Sequence, residues 1–145
     1  MSTRTTERTQ FLADIICGAV EGGTSYWAMA AGYKWSDEHP ETTRVTLIEE
    51  EHGPLFNDAC QCFADEHGRK PKLSETTGWE GVHAITIESI ATALGKIQRG
   101  EVKMNSNLLA TIKLADKESD AGYIDAEGAD VIAQAACFGG EVVYG

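Results

Sequence analysis

Two hydrophobic periods alternate along this chain, and their order constrains its fold more than any other feature of the sequence. Most segments place apolar residues three or four positions apart, which is the spacing of one helix face. A region between residues 25 and 49, and a short one at 82–85, instead change side at every second residue, which is typical of strands. Separate blocks of the two periods predict an α+β protein.

Helical spacing predicts about four α-helices, each of which begins at a capping residue or ends at a glycine. Ile90 and Ile132 lie at the centres of two of these apolar stripes and are predicted core residues. Gly122 is predicted to end the third helix in a left-handed conformation. The predicted helices run from Thr6 to Glu21, from Thr86 to Gly100, from Asn105 to Gly122 and from Asp125 to Gly139.

Strand-like alternation predicts a hairpin from Ser25–Trp35 and Thr42–Glu49, with a third strand at Val82–Ile85. On the first strand, Trp27 and Met29 are predicted to face the core. We therefore expect a small antiparallel β-sheet of about three strands, packed with about four α-helices.

The least regular stretch of the chain is residues 52–81. It is polar in its second half and contains Pro71, so it predicts an irregular loop region with at most a short helix at Leu55–Phe63. No break in composition separates it from the rest, and we expect a single domain over residues 1–145.

The charge of the chain limits its partners. Its 12 Lys and Arg against 23 Asp and Glu leave a formal net charge of −11, which argues against nucleic acid and anionic membranes, since both are bound by basic side chains. No apolar run has the length of a membrane span, and the N-terminus lacks a signal-peptide pattern, so we expect a cytoplasmic protein. Its four cysteines are therefore predicted to be free thiols: Cys17, Cys60, Cys62 and Cys137.

Several stretches of the chain look familiar as a set. They are Phe11-Leu-Ala-Asp-Ile-Ile, Ile85-Thr-Ile-Glu-Ser-Ile-Ala, Asp116–Asp125, Ala129-Asp-Val-Ile-Ala-Gln-Ala and Phe138–Gly145. With them the chain resembles a family of small uncharacterised proteins of actinobacterial phages and mobile elements. The resemblance implies an accessory gene rather than a metabolic one, and it implies no catalytic residue because no activity is attached to that family.

Two groups of side chains are candidate metal ligands. His52, Cys60, Cys62 and His67 are ligand types that zinc prefers, although a single residue between the two cysteines is a tight spacing. The alternative is two half-buried thiols and two surface histidines.

The second candidate is a calcium loop at 116–127, in which Asp116, Glu118, Asp120 and Glu127 take ligand positions one, three, five and twelve. Ala121 stands where such a loop needs glycine. The alternative is a plain corner between two helices, in which Asp125 caps the second helix.

No nucleophile elbow, phosphate loop or dinucleotide fingerprint is present. We therefore predict a non-catalytic acidic binding protein, a phage or mobile-element accessory factor that engages a host protein with a basic surface. The predicted partner-binding residues are Trp35, Glu49, Glu50, Glu51, Asp116, Glu118 and Asp120. No cofactor is required by this prediction.

Two alternatives stay open. One is a nucleotide-binding protein in which Trp35 or Trp79 stacks on a base. The other is a metal-dependent enzyme that uses the four candidate zinc ligands named above, His52, Cys60, Cys62 and His67.

Overall fold

The computed structural model describes residues 4–145 of the chain. These residues form an α+β fold, as predicted, with a three-stranded antiparallel sheet and five α-helices, one more than the periodicity indicated. The strands are β1 (Ala28–Lys34), β2 (Arg44–Glu49) and β3 (Val82–Thr86). The helices are α1 (Thr6–Gly18), α2 (Gly53–His67), α3 (Ile87–Gln98), α4 (Ser106–Glu118) and α5 (Ala126–Cys137).

The sheet has the strand order β1-β2-β3, with both neighbouring pairs antiparallel. Leu47 at the centre of β2 lies opposite Ala30 on β1 and His83 on β3. The predicted hairpin and third strand are therefore confirmed. The register between β1 and β2 shifts after Ala31, before pairing resumes at Lys34 and Arg44.

The hydrophobic core lies between one face of this sheet and helices α1, α3 and α5. Ile16, Ile90 and Ile132, one from each helix, are fully buried there beside Leu47 and Ile85 of the sheet. The prediction that Ile90 and Ile132 are core residues is confirmed. No helix within residues 4–145 combines the length and apolarity needed to cross a membrane.

The predicted helix starts hold in detail. The hydroxyl of Thr86 accepts a hydrogen bond from the Ser89 N–H at 3.3 Å, and Asp125 accepts one from the Gly128 N–H at 2.8 Å. Such bonds satisfy donors that a helix start leaves unpaired.

At the C-terminal end of α1, the chain continues into a π-helical turn, Ala19–Gly23. Gly23 is required in this turn, because a side chain there would approach a backbone oxygen of α5 to 2.7 Å.

The first half of residues 52–81 is more regular than expected, because the short helix predicted at Leu55–Phe63 is longer at both ends. Residues 53–67 form α2, which ends at Gly68 in a left-handed conformation. Phe56 and Phe63 lie on the same helix face and pack against Trp79. Their ring centroids lie 5.9 Å (Phe56) and 6.4 Å (Phe63) from that of Trp79. The helix is therefore stabilised by contacts with a distant residue, which local periodicity does not reveal.

The segment that follows α2 covers part of the second face of the sheet. Leu73 approaches Gly32 of β1 so closely that a side chain at Gly32 would come within 2.4 Å of it. Ile48 and Val82, which pair across β2 and β3, are buried but lie outside the main core cluster. The sheet thus has helices on one face and the 68–79 segment on the other.

One predicted core residue on β1 is placed wrongly. Trp27 is buried as expected, but Met29 is 47% exposed. The strand begins at Ala28, whose side chain is buried, so Met29 falls on the opposite face. Trp27 precedes the strand and does not share its alternation.

Candidate functional site

The densest group of polar side chains lies where β2 ends. After Glu49, residues Glu50–His52 form a single 3₁₀ turn that leads into α2. The Glu49 N–H donates to the Gly81 carbonyl and the Glu50 N–H donates to the Trp27 carbonyl, both at 2.8 Å. These two bonds hold the turn between the start of β1 and the start of β3.

Glu49 is the buried centre of this group, with only 7% of its surface exposed. The Tyr144 hydroxyl donates to its Oε1 at 2.5 Å, and His83 Nε2 lies 2.9 Å from its Oε2. Burial alone raises the pKa of Glu49, but the hydrogen bonds from Tyr144 and His83 outweigh it, and the pKa is lowered. Glu49 is therefore an ionised carboxylate with both oxygens occupied.

Glu51 and His52 complete the group. The Tyr144 hydroxyl also lies 2.8 Å from Glu51 Oε1, and His52 Nε2 lies 3.7 Å from the same oxygen. His52 packs on Gly81, where a side chain would come within 2.5 Å of the histidine Cβ. We call Glu49, Glu51, His52, His83 and Tyr144 the Glu49 cluster.

Tyr144 reaches this cluster because the chain after α5 folds back over the sheet end. Its ring stacks on Trp27, with centroids 5.0 Å apart and planes 9° from parallel. The Trp27 indole N–H donates to Asp130 Oδ1 at 2.8 Å, and Asp130 also accepts from the Tyr26 hydroxyl at 2.6 Å. Burial and this bond raise the pKa of Tyr26 to about 12. This network was not predicted from the sequence. The signal that could have indicated it is a pair of polar residues four positions apart within a buried apolar helix, Asp130 and Gln134.

Two of the acids predicted to bind a partner are engaged within the fold. Glu49 is buried in the cluster described above. Asp116 has a side chain that is only 10% exposed and forms an ion pair with Arg8. Both side chains thus already have partners within the protein, and a role for them in partner binding stays a prediction.

The remaining predicted partner-binding residues lie at the surface. Trp35 is 52% exposed at the end of the hairpin. The exposed acids are Glu50, Glu51, Glu118 and Asp120.

The four predicted zinc ligands do not come together. Cys60 and Cys62 lie two residues apart on α2, so their side chains point in different directions, and Cys62 is exposed. Within residues 4–145, the one group of possible ligand atoms that lie within 4.8 Å of one another comes from Glu49, Glu51 and His52. It contains no cysteine. Elsewhere, burial raises the pKa of the Cys137 thiol to about 12, which keeps it protonated.

The predicted calcium loop is a corner between α4 and α5. Helix α4 ends at Ser119 in a left-handed conformation, not at Gly122 as predicted. Asp120 accepts a hydrogen bond from the Gly122 N–H at 2.9 Å, and Asp125 caps α5. Because Asp116 is paired with Arg8, the loop's first ligand position is also occupied within the protein.

Trp79, one of the two rings considered for stacking on a base, contacts helix α2. Its ring is half-buried against Phe56 and Phe63 of α2. A cleft of about 390 Å³ lies beside the Phe56 ring, lined on one side by Phe56 and Cys60 and on the other by Lys70 and Leu73.

Comparison with known proteins finds no matching family model, no matching curated protein and no matching solved structure. Functional inference therefore rests on the surface and the sites of this chain itself.

The outward face of α2 is the most distinctive surface of the molecule. None of the residues of this helix, 53–67, is buried. Leu55 is 57% exposed, the largest exposed fraction among the large apolar side chains of the described chain. The exposed residues that follow it at helical spacing define what we call the α2 outer stripe: Leu55, Asp58, Cys62, Asp65 and Glu66.

Proposed function

We propose that this chain is a non-catalytic acidic binding protein that docks the α2 outer stripe into a basic groove of a partner protein. One observation carries the proposal: a helix that buries none of its own residues presents an exposed leucine among acidic side chains. A helix held only at the edge of a fold contributes little to its core, so its outward side chains are free to serve recognition.

Charge supports a basic partner. Residues 50–66 contain five acidic side chains and no lysine or arginine. Within the described residues, 4–145, no lysine or arginine forms an ion pair with Asp58, Asp65 or Glu66. Unpaired exposed charge of one sign attracts a surface of the opposite sign and raises the rate of association.

The apolar side chain supplies the second part of the interface. Leu55, Asp58 and Cys62 lie at positions i, i+3 and i+7, which is how a helix engages a groove in a partner. Burying one leucine contributes on the order of 1.5–3 kcal/mol, more than an exposed ion pair of about 0–1 kcal/mol. Leu55 is thus expected to slow dissociation, while the acids speed association. The resemblance to phage accessory proteins supports a host protein as the partner.

The test compares two sets of charge-neutralising substitutions. Asp58→Asn, Asp65→Asn and Glu66→Gln together remove three charges from the α2 outer stripe. The matched control removes three exposed charges around α1, with Glu7→Gln, Asp14→Asn and Glu21→Gln. Partners are captured from actinobacterial lysate with the wild-type protein, purified, and measured by surface plasmon resonance at two salt concentrations.

We expect the α2 variant to associate roughly tenfold more slowly at low salt, and the α1 variant to keep the wild-type rate within about twofold. Added salt is expected to reduce the difference in association rate between the wild-type protein and the α2 variant, since charges are screened over about 8–10 Å. Leu55→Ala is expected to raise the dissociation rate. Equal effects of the two charge variants would identify non-specific attraction and contradict the proposal. So would wild-type kinetics in all three variants.

A further inference from the structure

We propose that Glu49, Glu51 and His52 bind a divalent cation of the zinc type at the end of β2. The site is distinct from the α2 outer stripe and does not depend on it. Its three side chains come from four consecutive residues, namely the last residue of β2 and the last two of the 3₁₀ turn after it.

The spacing of the ligand atoms suits such an ion. One ligand atom from each residue lies within 4.8 Å of the others, and His52 Nε2 is 3.7 Å from Glu51 Oε1. Zinc bound to nitrogen and oxygen at about 2.0–2.2 Å holds its ligand atoms roughly 3–4 Å apart. The Tyr144 hydroxyl now lies against Glu49 Oε1 and Glu51 Oε1, so an ion bound by these oxygens and His52 would replace its hydrogen bond to them.

The chemistry of the group favours zinc over calcium or magnesium. One imidazole and two carboxylates form a mixed nitrogen and oxygen set, whereas the two harder cations prefer oxygen ligands alone. Three protein ligands also leave a fourth position open, as in zinc sites that bind water or a further ligand.

His52 presents its two ring nitrogens to different neighbours, and Nε2 is the one on the Glu51 side. Its Nδ1 is buried without a hydrogen-bond partner, one of two such side-chain atoms within residues 4–145. The nearest acidic oxygen to that nitrogen belongs to Glu80, at 4.0 Å. An ion bound at Nε2 would leave the ring proton on Nδ1, on the side of Glu80, as in metal sites where the second nitrogen of a ligating histidine faces a carboxylate.

The neighbours of the three ligands hold them in place. His83 lies 2.9 Å from Glu49 Oε2, and the Tyr144 hydroxyl lies between Glu49 and Glu51. Gly81 gives His52 the space to pack against the strand. Groups of this kind orient the ligands of metal sites and raise their affinity.

The experiment titrates chelator-treated protein with ZnCl₂ by isothermal titration calorimetry, and with CoCl₂ while the visible absorption is recorded. The ligand variants are Glu51→Gln and His52→Ala, each checked for folding by circular dichroism. One control is His39→Ala, because His39 is another histidine beside a glutamate, with its Nδ1 3.2 Å from Glu41 Oε1. A second control, Cys60→Ser with Cys62→Ser, removes the competing thiols.

We expect one equivalent of zinc to bind to the wild-type protein and to both controls. Glu51→Gln is expected to weaken binding at least about tenfold, and His52→Ala about a hundredfold or more. Glu51 is exposed, so its variant tests the site even if the histidine variant unfolds. Absence of one-to-one binding, loss of binding in the cysteine control, or unchanged affinity in folded Glu51→Gln would each overturn the proposal.

Discussion

The side-chain amide of Gln134 binds the peptide backbone of Tyr144 from both sides. Its Oε1 accepts the Tyr144 N–H at 2.7 Å, and its Nε2 donates to the Tyr144 carbonyl at 3.1 Å. The same Oε1 accepts the Val143 N–H at 2.8 Å, and the same Nε2 reaches Asp130 at 3.0 Å. One fully buried side chain thus fixes the segment that carries Tyr144 into the Glu49 cluster.

We expect Gln134→Ala to lower the free energy of unfolding by about 2–4 kcal/mol, because it leaves partly buried backbone groups of Val143 and Tyr144 without partners and removes one hydrogen bond to Asp130. Urea unfolding at pH 7 measures the change. Gln61→Ala is the control, since Gln61 is exposed and bonds only Asp65 on its own helix; its cost is expected to stay below about 0.5 kcal/mol. Equal costs for the two variants would show that the Gln134 contacts contribute nothing beyond local helix structure.

The lowered pKa of Glu49 links stability to pH. Its pKa in the folded protein lies below its ordinary value of 4.5, although burial opposes this. A carboxyl group whose folded pKa is lowered contributes stability that is present above its unfolded pKa and lost as the pH falls through the folded pKa. The contribution of Glu49 is therefore present at neutral pH and disappears in acid, below about pH 4.5.

Tyr144→Phe removes one of the donors that lower this pKa while it keeps the ring stacked on Trp27. We expect a loss of about 1.5–3 kcal/mol at pH 7, since the bond is made to a charged group, and a smaller loss at pH 3. Urea unfolding in the presence of a chelator measures both. Tyr123→Phe, at an exposed tyrosine, should change stability little at either pH. A loss that is the same at pH 3 and pH 7 would contradict the assigned role of the hydroxyl.

Substitutions of Ile90 and Ile132 by alanine test the packing of the hydrophobic core. Both are fully buried between α3 and α5. Each change to alanine is expected to cost about 2–5 kcal/mol, through lost transfer energy and the cavity left behind. Leu114→Ala, at a leucine that is exposed on α4, is the control and should cost less than about 0.5 kcal/mol. A near-zero cost for either isoleucine, read from urea unfolding, would contradict the packing described.

The parts of the fold that follow from local pattern were predicted from the sequence. The hairpin, the third strand and four helices all carry their period and their caps within a few neighbouring residues, as Thr86 and Asp125 illustrate. Helix α2 was predicted only as a short helix at Leu55–Phe63, because its apolar face is narrow and contacts Trp79, a partner beyond the helix end. Met29 was misplaced because the strand begins at Ala28, three residues later than predicted, so Trp27 lies outside the strand and does not share its alternation.

The Glu49 cluster could not be assembled from the sequence. Glu49 and Tyr144 are separated by 95 positions, and Glu49 and His83 by 34. Contacts of this range depend on the packing of α5 against the sheet, which no short pattern encodes. His52 was predicted as a metal ligand from its residue type, but its neighbours were sought on α2, where helical geometry separates Cys60 from Cys62.

Asp116 provides the last prediction, because the sequence predicted it both as a partner-binding residue and as a calcium ligand. The Arg8 guanidinium forms an ion pair with the Asp116 carboxylate and donates to the Asp116 carbonyl oxygen at 2.7 Å. Gln98 donates to the other carboxylate oxygen at 2.8 Å. The residue therefore joins the end of α4 to the start of α1 and to α3.

We expect Asp116→Asn to lower the free energy of unfolding by about 1–3 kcal/mol, since it leaves a partly buried guanidinium without its charge partner. Glu118→Gln, two residues away on an exposed position, should change it by less than about 0.5 kcal/mol. CaCl₂ at millimolar concentration is expected to leave the melting temperature of the wild-type protein unchanged, because the first loop position is held by Arg8. A calcium-dependent rise in melting temperature that Asp116→Asn abolishes would instead establish the calcium loop, and with it a role for Asp116 that the ion pair does not explain.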